Sequence, residues 1–449
     1  MTAWLNHIDS TFPGKLHYWK MGNEPWGGCP PPISITQYIE RYNNYKVAIP
    51  PQLSGKLFRI ADGGSGNGTP SIWLDSLMRF EVGSIEGATY HYYTGLNGSG
   101  PSFNFTEAQY NERMQLAWAM ENKMVTCETI MNKYDPENTV GLMVDEWGAW
   151  YTEIPNMGFT YQQNTCRDAV IASMHLNIFN NHCRRVKMAM VAQPVNVIQA
   201  LLLTKNPPTT DMIKTPTFYV FKMYKVHQNA KMIPATLATG NTGGVPYITA
   251  SASVDSKGML HISMCNTHIS DEQLVSVKLQ EAPGYDSCTG TIINGPKYDS
   301  YNDYGGVEPV NIKPLAEEHL SSFDGSSLVA SLPAHSVVTF TLTPAGTTGV
   351  NRKNLQNRKN RGHGVWSVKP VPGGKVHLQT PASEAVPVIL TLVGIDGKTI
   401  ITSDVMTVIP GASGSTWQPA GKNHYSPGVY ILRITTGKET TAFRVVLSN

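Results

Sequence analysis

Between Leu16 and Ala230 the chain alternates two kinds of apolar pattern. Short runs rich in β-formers are "LHYWKM" (16–21), "KLFRIA" (56–61), "SIEGATYHYY" (84–93), "TVGLMVDEW" (139–147) and "RVKMAMVA" (185–192). Longer stretches with apolar residues at helical spacing separate them: "QYIERYNNYKVA" after an N-cap expected at Thr36, "TEAQYNERMQLAWAMENKMVTCETIMNKY", "CRDAVIASMHLNIFNNH" and "TPTFYVFKMYKVHQ". Strands alternating with helices of this length predict parallel βαβ units. The runs are nearly continuously apolar, as in strands covered on both faces.

From Lys231 the texture changes. Runs such as "MLHISMCN", "QLVSVKLQ" and "SVVTFTLTP" are punctuated by Gly, Asn, Asp and Ser, which predicts an antiparallel β-sandwich over 231–345. Residues 346–364 hold almost nothing apolar and read as a linker. Five basic residues lie between Arg352 and Arg361 with no aromatic residue interleaved, so a solvated spacer is expected rather than a nucleic-acid site. From 365 to 449, "VPVILTLVGIDGKTI" and "GVYILRITTGKETTAFRVVL" predict a second small all-β module.

Composition narrows the function classes. Charged residues are 15 % and the formal net charge is +2, which provides no global field toward nucleic acid or acidic lipid. No apolar run has the length of a membrane-spanning helix, and residues 1–15 lack the basic-then-apolar pattern of an export signal. Cys29, Cys127, Cys166, Cys183, Cys265 and Cys288 form no CxxC pair and no metal-ligand spacing with His. Buried or free thiols are expected; one disulfide, or a place for Cys29 beside the site, is left open. "GGSGNG" (63–68) lacks the dinucleotide fingerprint and reads as a loop.

The chemistry is concentrated at the ends of the apolar runs. The first leads into Asn23, Glu24 and Trp26; the third carries His91 and Tyr93; the fourth ends in Asp145, Glu146 and Trp147; Gln193, Asn196 and Gln199 follow the fifth. Polar groups at the C-terminal ends of parallel strands are where barrel enzymes work. Two carboxylates facing across a pocket are what glycoside hydrolysis needs, one protonated as acid and one ionised to attack. Neighbouring tryptophans offer a flat apolar surface to a sugar. A single strand-end Glu is more often a cap or ion-pair partner; the joint occurrence of Asn-Glu, His-x-Tyr and Asp-Glu-Trp-Gly is the stronger signal.

The stretches "YWKMGNEPWGG" (18–28), "HYYT" (91–94), "YDPENTVGLMVDEWGAWY" (134–151), "YQQNTCRDAVIASMHLNIFNNH" (161–182) and "VAQPVNVIQALLLT" (191–204) resemble glycoside hydrolase family 51, whose members include α-L-arabinofuranosidases. The resemblance implies a (β/α)8 barrel followed by a β-sandwich, no metal and no cofactor. It implies a retaining mechanism, with Glu24 as acid/base and Glu146 as nucleophile. By the same resemblance Asn23, His91, Tyr93, Gln199, Trp26 and Trp147 bind substrate or orient the carboxylates. The partner implied is an arabinose-containing polysaccharide or oligosaccharide such as arabinoxylan or arabinan, and homo-oligomers are common in the family. Residues 1–230 then match barrel strands 4 to 8, and strands 1 to 3 are expected to be missing. An endo-acting glucanase or xylanase, or an inactive remnant, are the rival readings. "SPGVYILRITTGKETTAFRVVLSN" (426–449) resembles a type IX secretion sorting domain of Bacteroidetes, which implies a secreted or cell-surface protein.

Overall fold

The computed structural model describes residues 1–27, 31–64, 72–95, 98–205, 211–280, 284–306, 308–345, 367–371, 375–380, 385–394, 399–403, 406–408, 415–418, 428–436 and 439–447. The linker at 346–364, Cys29 and most of the Gly-rich loop lie outside them.

Five parallel strands form one sheet in sequence order: β1 (Tyr18–Met21), β2 (Phe58–Ala61), β3 (Gly87–Thr94), β4 (Gly141–Ala149) and β5 (Val186–Val191). Each coincides with one of the runs read as a strand, β3 ending one residue and β4 two residues beyond its run. Among the described residues the sheet is open, with β1 and β5 at its edges. Helices α1 (Thr2–Thr11), α2 (Ile35–Val47), α3 (Ile72–Glu81), α4 (Glu107–Asn132), α5 (Cys166–Asn181) and α6 (Pro216–Tyr224) supply the rest of this unit.

Helix α2 is capped two residues before the expected position. Ser34, not Thr36, accepts from the Gln37 backbone N–H, and the Gln37 side chain returns to the Ser34 N–H. This reciprocal box satisfies two otherwise orphaned donors, which a cap at Thr36 would not. Thr106 and Gln109 repeat it at α4.

Strand period fixes what each face carries. Trp19 packs on Tyr42 of α2, and Tyr92 donates to Leu116 O of α4. Their neighbours Lys20, His91 and Tyr93 therefore project to the opposite face. That face is the polar one.

The sandwich has a six-stranded sheet, from Lys231–Ile233 to Ser336–Pro344, and a three-stranded sheet built from Gln273–Lys278, Ser327–Leu332 and Leu320–Phe323. Ile262, Met264, Leu328, Leu332 and Phe340 fill the space between them. Helix α5 is buried along nearly its whole length. Its Asn177 and Asn180 donate to Thr249 and Ser251 of the sandwich, and Cys265, Ile293 and Val337 belong to the same apolar cluster as the parallel sheet. The C-terminal strands, among them Val386–Gly394, Gly428–Thr436 and Glu439–Leu447, enclose a core of their own around Leu390, Leu392, Leu432 and Ile434.

Candidate active site

The polar ends of β1 to β4 meet at one place. Glu24 follows β1 in a left-handed backbone conformation, φ +47°, unusual for a residue with a side chain. Its main-chain N–H donates to Asp62 Oδ2 at 3.2 Å, which holds the turn.

Strand β4 carries Asp145 and Glu146, which strict alternation would send to opposite faces. Its pairing slips against β3 between Thr89 and His91, and against β5 between Val144 and Trp147. Such an irregularity re-aims side chains, and both carboxylates here reach His91. His91 Nδ1 lies 2.9 Å from Glu24 Oε1 and 3.6 Å from Glu146 Oε2, while Nε2 stands 3.2 Å from Asp145 Oδ1. The Asp145 contact is ionic and off-axis for a hydrogen bond. Tyr93 donates from its hydroxyl to Glu146 Oε2 at 2.6 Å.

His91 is 1 % exposed, whereas the Glu24 and Glu146 side chains keep 24 % and 23 % of their surface open. The two glutamates are thus reachable from solvent and the histidine beneath them is not. Burial alone would lower the imidazole, but Asp145 and Glu24 outweigh it and push His91 up to about 9. A charged ring suits carboxylates on both of its sides: Nδ1 hydrogen-bonds Glu24, and Nε2 forms an ion pair with Asp145. Burial pushes the Tyr93 phenol up, helped by the adjacent Glu146 charge, so it stays a donor.

One atom each of Glu24, His91 and Glu146 lie within 4.8 Å of one another. Carboxyl groups about 5–5.5 Å apart suit nucleophilic attack on a sugar, while about 6.5–9.5 Å leaves room for an intervening water. An oxygen of each glutamate within 4.8 Å of the other favours the shorter spacing. The same three atoms are close enough to ligate a cation.

The remaining residues expected at the site divide. Asn23 is exposed beside Glu24 and accepts from Lys20 Nζ at 3.1 Å. Trp26 stands edge-on to His91, ring centroids 5.4 Å apart. Trp147 is not at the site. It is fully buried on the helix side of β4 among His175, Phe179 and Phe221, because the residue after Glu146 must face away from it. Trp150, three residues further on, is the tryptophan of this segment that reaches the site, its ring meeting that of Tyr93 at 5.2 Å. Gln199 is also fully buried. Its Oε1 accepts from Ala149 N–H, and its Nε2 donates to Asp168 O and Thr217 Oγ1. With Gln162, which bonds Ala149 O and Tyr151 N–H, it pins the end of β4 and leaves no amide atom for a sugar.

Sequence reasoning passed over Lys20 and Asp62. Asp62 is fully buried and also accepts from Thr89 Oγ1 at 3.0 Å. Burial lifts its carboxyl to about 6, against the pull of Lys20 and His91. The one signal for it was an acid directly following an apolar strand run, masked by the Gly-Gly that comes next.

Residues 145–336 match the family model "Alpha-L-arabinofuranosidase C-terminal domain". An intracellular exo-α-L-arabinofuranosidase of Bacteroides ovatus is 36 % identical over 338 residues, covering 73 % of this chain and 64 % of that protein. The crystal structure of the GH51 arabinofuranosidase from Xanthomonas axonopodis pv. citri superposes with a TM-score of 0.66 at 32 % identity, over 73 % of this chain and 66 % of that one. The chain is a relative of the family 51 arabinofuranosidases. It spans just under two thirds of the length of these two relatives. The α-L-arabinofuranosidase from Thermotoga maritima, at 16 % identity and a TM-score of 0.62, shares the family 51 fold.

Proposed function

We propose that this chain is a retaining α-L-arabinofuranosidase, releasing terminal arabinofuranosyl residues from plant glycans such as arabinoxylan or arabinan. The observation that carries the reading is the pair Glu24 and Glu146, both solvent-reachable and both on one buried imidazole within 4.8 Å. Glu146 is the nucleophile: Tyr93 orients one of its oxygens and leaves the other for the anomeric carbon. Glu24 is the acid/base, donating a proton to the leaving oxygen and then taking one from water. Asn23 beside it is read as a partner of the sugar 2-hydroxyl. Support for the arabinofuranosyl substrate comes from the names of the Bacteroides and Xanthomonas relatives.

The open sheet is read as part of a (β/α)8 barrel. Its strands are all parallel, run in sequence order and carry polar groups at their C-terminal ends. The C-terminal module is read as a sorting domain that takes the protein to the cell surface. Fractionation of cells with and without residues 365–449 tests this; equal distribution of both forms overturns it.

The test of the main reading is hydrolysis of 4-nitrophenyl α-L-arabinofuranoside, with the first-formed sugar anomer followed by proton NMR. Release of nitrophenol with the α-anomer appearing first is expected. No release, or the β-anomer first, overturns the reading.

A further inference from the structure

Lys20 sits in the middle of β1 and faces the polar side of the sheet, toward Asp62 just after β2 and Asp145 on β4. Its Nζ lies 2.6 Å from Asp145 Oδ2 and 3.7 Å from Asp62 Oδ2. Both carboxylates are almost wholly buried. Each does something different. Asp62 accepts the main-chain N–H of Glu24 and so fixes that residue's left-handed turn. Asp145 faces Nε2 of His91, whose other nitrogen touches Glu24 and Glu146. A buried carboxylate is costly unless paired, and one ammonium serves both.

We propose that Lys20 is a positioning residue, the ammonium shared by Asp62 and Asp145 that keeps both ionised and thereby holds the Glu24 turn and the His91 ring in place for both glutamates. The inference rests on the retaining-glycosidase reading. Lys20 touches neither substrate nor reacting atoms in this scheme; it acts through the two aspartates. The charged and titratable groups facing this cluster are Lys20 and Glu24 from β1 and its end, Asp62 after β2, His91 and Tyr93 on β3, and Asp145 and Glu146 on β4. Removing the cation leaves net negative charge among buried acids, so every acid in the cluster becomes harder to ionise. Removing Asp145 does the reverse to the acids that remain.

The experiment compares Lys20→Gln, Lys20→Arg and Asp145→Asn with the unmodified chain on 4-nitrophenyl α-L-arabinofuranoside across pH. Lys20→Gln is expected to lower kcat by about tenfold or more with KM changed less than about threefold, and to move the acidic limb of kcat/KM to higher pH. Lys20→Arg restores the limb and part of kcat. Asp145→Asn also lowers kcat but moves the acidic limb to lower pH. A residue needed only for folding would give no such opposite shifts. Unchanged kcat and an unmoved limb in Lys20→Gln overturn the inference, as do limbs that move together in the two variants. Failure of the glycosidase reading looks different: the unmodified chain then cleaves no arabinofuranoside. In that case a crystal structure of Lys20→Gln, or of Asp145→Asn if the former does not fold, decides. Displaced Glu24 and His91 support the positioning role, and unmoved side chains overturn it.

Discussion

Glu24 and Glu146 occupy similar surroundings and are asked to do opposite things, and substitution separates them. Glu146→Ala removes the nucleophile, and turnover is expected to fall by about 10²–10⁴-fold or more on every arabinofuranoside. Glu24→Ala removes only proton donation. It should cripple cleavage of polysaccharide side chains while losing much less on nitrophenyl substrates, whose leaving group needs no proton. Steady-state rates on the two substrate types check both. The two tryptophans separate in the same way. Trp150→Ala, beside Tyr93, should raise KM with little change in melting temperature. Trp147→Ala, buried against Phe221 and His175, should cost about 3–5 kcal/mol of stability in a denaturation curve. These residues also mark where the sequence was readable. A carboxylate ending an apolar strand is conspicuous, and both glutamates were visible that way. Trp147 was misread because adjacency in sequence is not adjacency on a strand. Lys20 was hidden because one polar residue in an apolar run looks like an interruption, when at period 2 it marks the other face.

Among the elements, the pairing of α4 with α5 has its own chemistry. His182, just past the end of α5, lies 3.2 Å from Glu121 and 2.9 Å from Glu128, both on α4. Burial works against the charged ring, but the two carboxylates win and raise it to about 9. A folded value above the unfolded one of about 6.5 means protonation favours the native state. The contribution is complete below about pH 6.5 and is lost as pH rises through about 9. Melting temperatures between those limits should fall with rising pH in the unmodified chain, and His182→Gln should flatten that part of the curve. The strand and helix order was legible because short, nearly continuous apolar runs alternate with longer stretches at helical spacing. The bulge in β4 was not, since it is a property of pairing with β3 and β5 that no local pattern encodes. The start of α2 was misjudged for a related reason. Ser34 and Thr36 are equally good caps in isolation, and only the Gln37 side chain, three residues after Ser34, decides between them.

At the scale of the whole molecule there are three folded parts in sequence, and their apolar interiors differ in standing. The parallel sheet and one side of the sandwich share a continuous core through α5. The C-terminal module has a separate core, and an Arg433–Glu272 ion pair at 3.7 Å reaches from it to the sandwich. Calorimetry should therefore give two transitions, with the smaller one absent after removal of residues 365–449 and the larger one unshifted. A single transition that moves on truncation would contradict this. The shared interior has a further meaning for how such a protein can be rearranged. Asn177, Asn180 and the buried flank of α5 are cut to fit Thr249 and Ser251, so the sandwich is no exchangeable accessory. Recombination at residue 230 would strand an apolar helix on one product and an uncovered sheet on the other. Recombination in the polar stretch before 365 would cost neither. Shuffling can replace what these two units are attached to, while the sheet and its sandwich must be inherited as one piece.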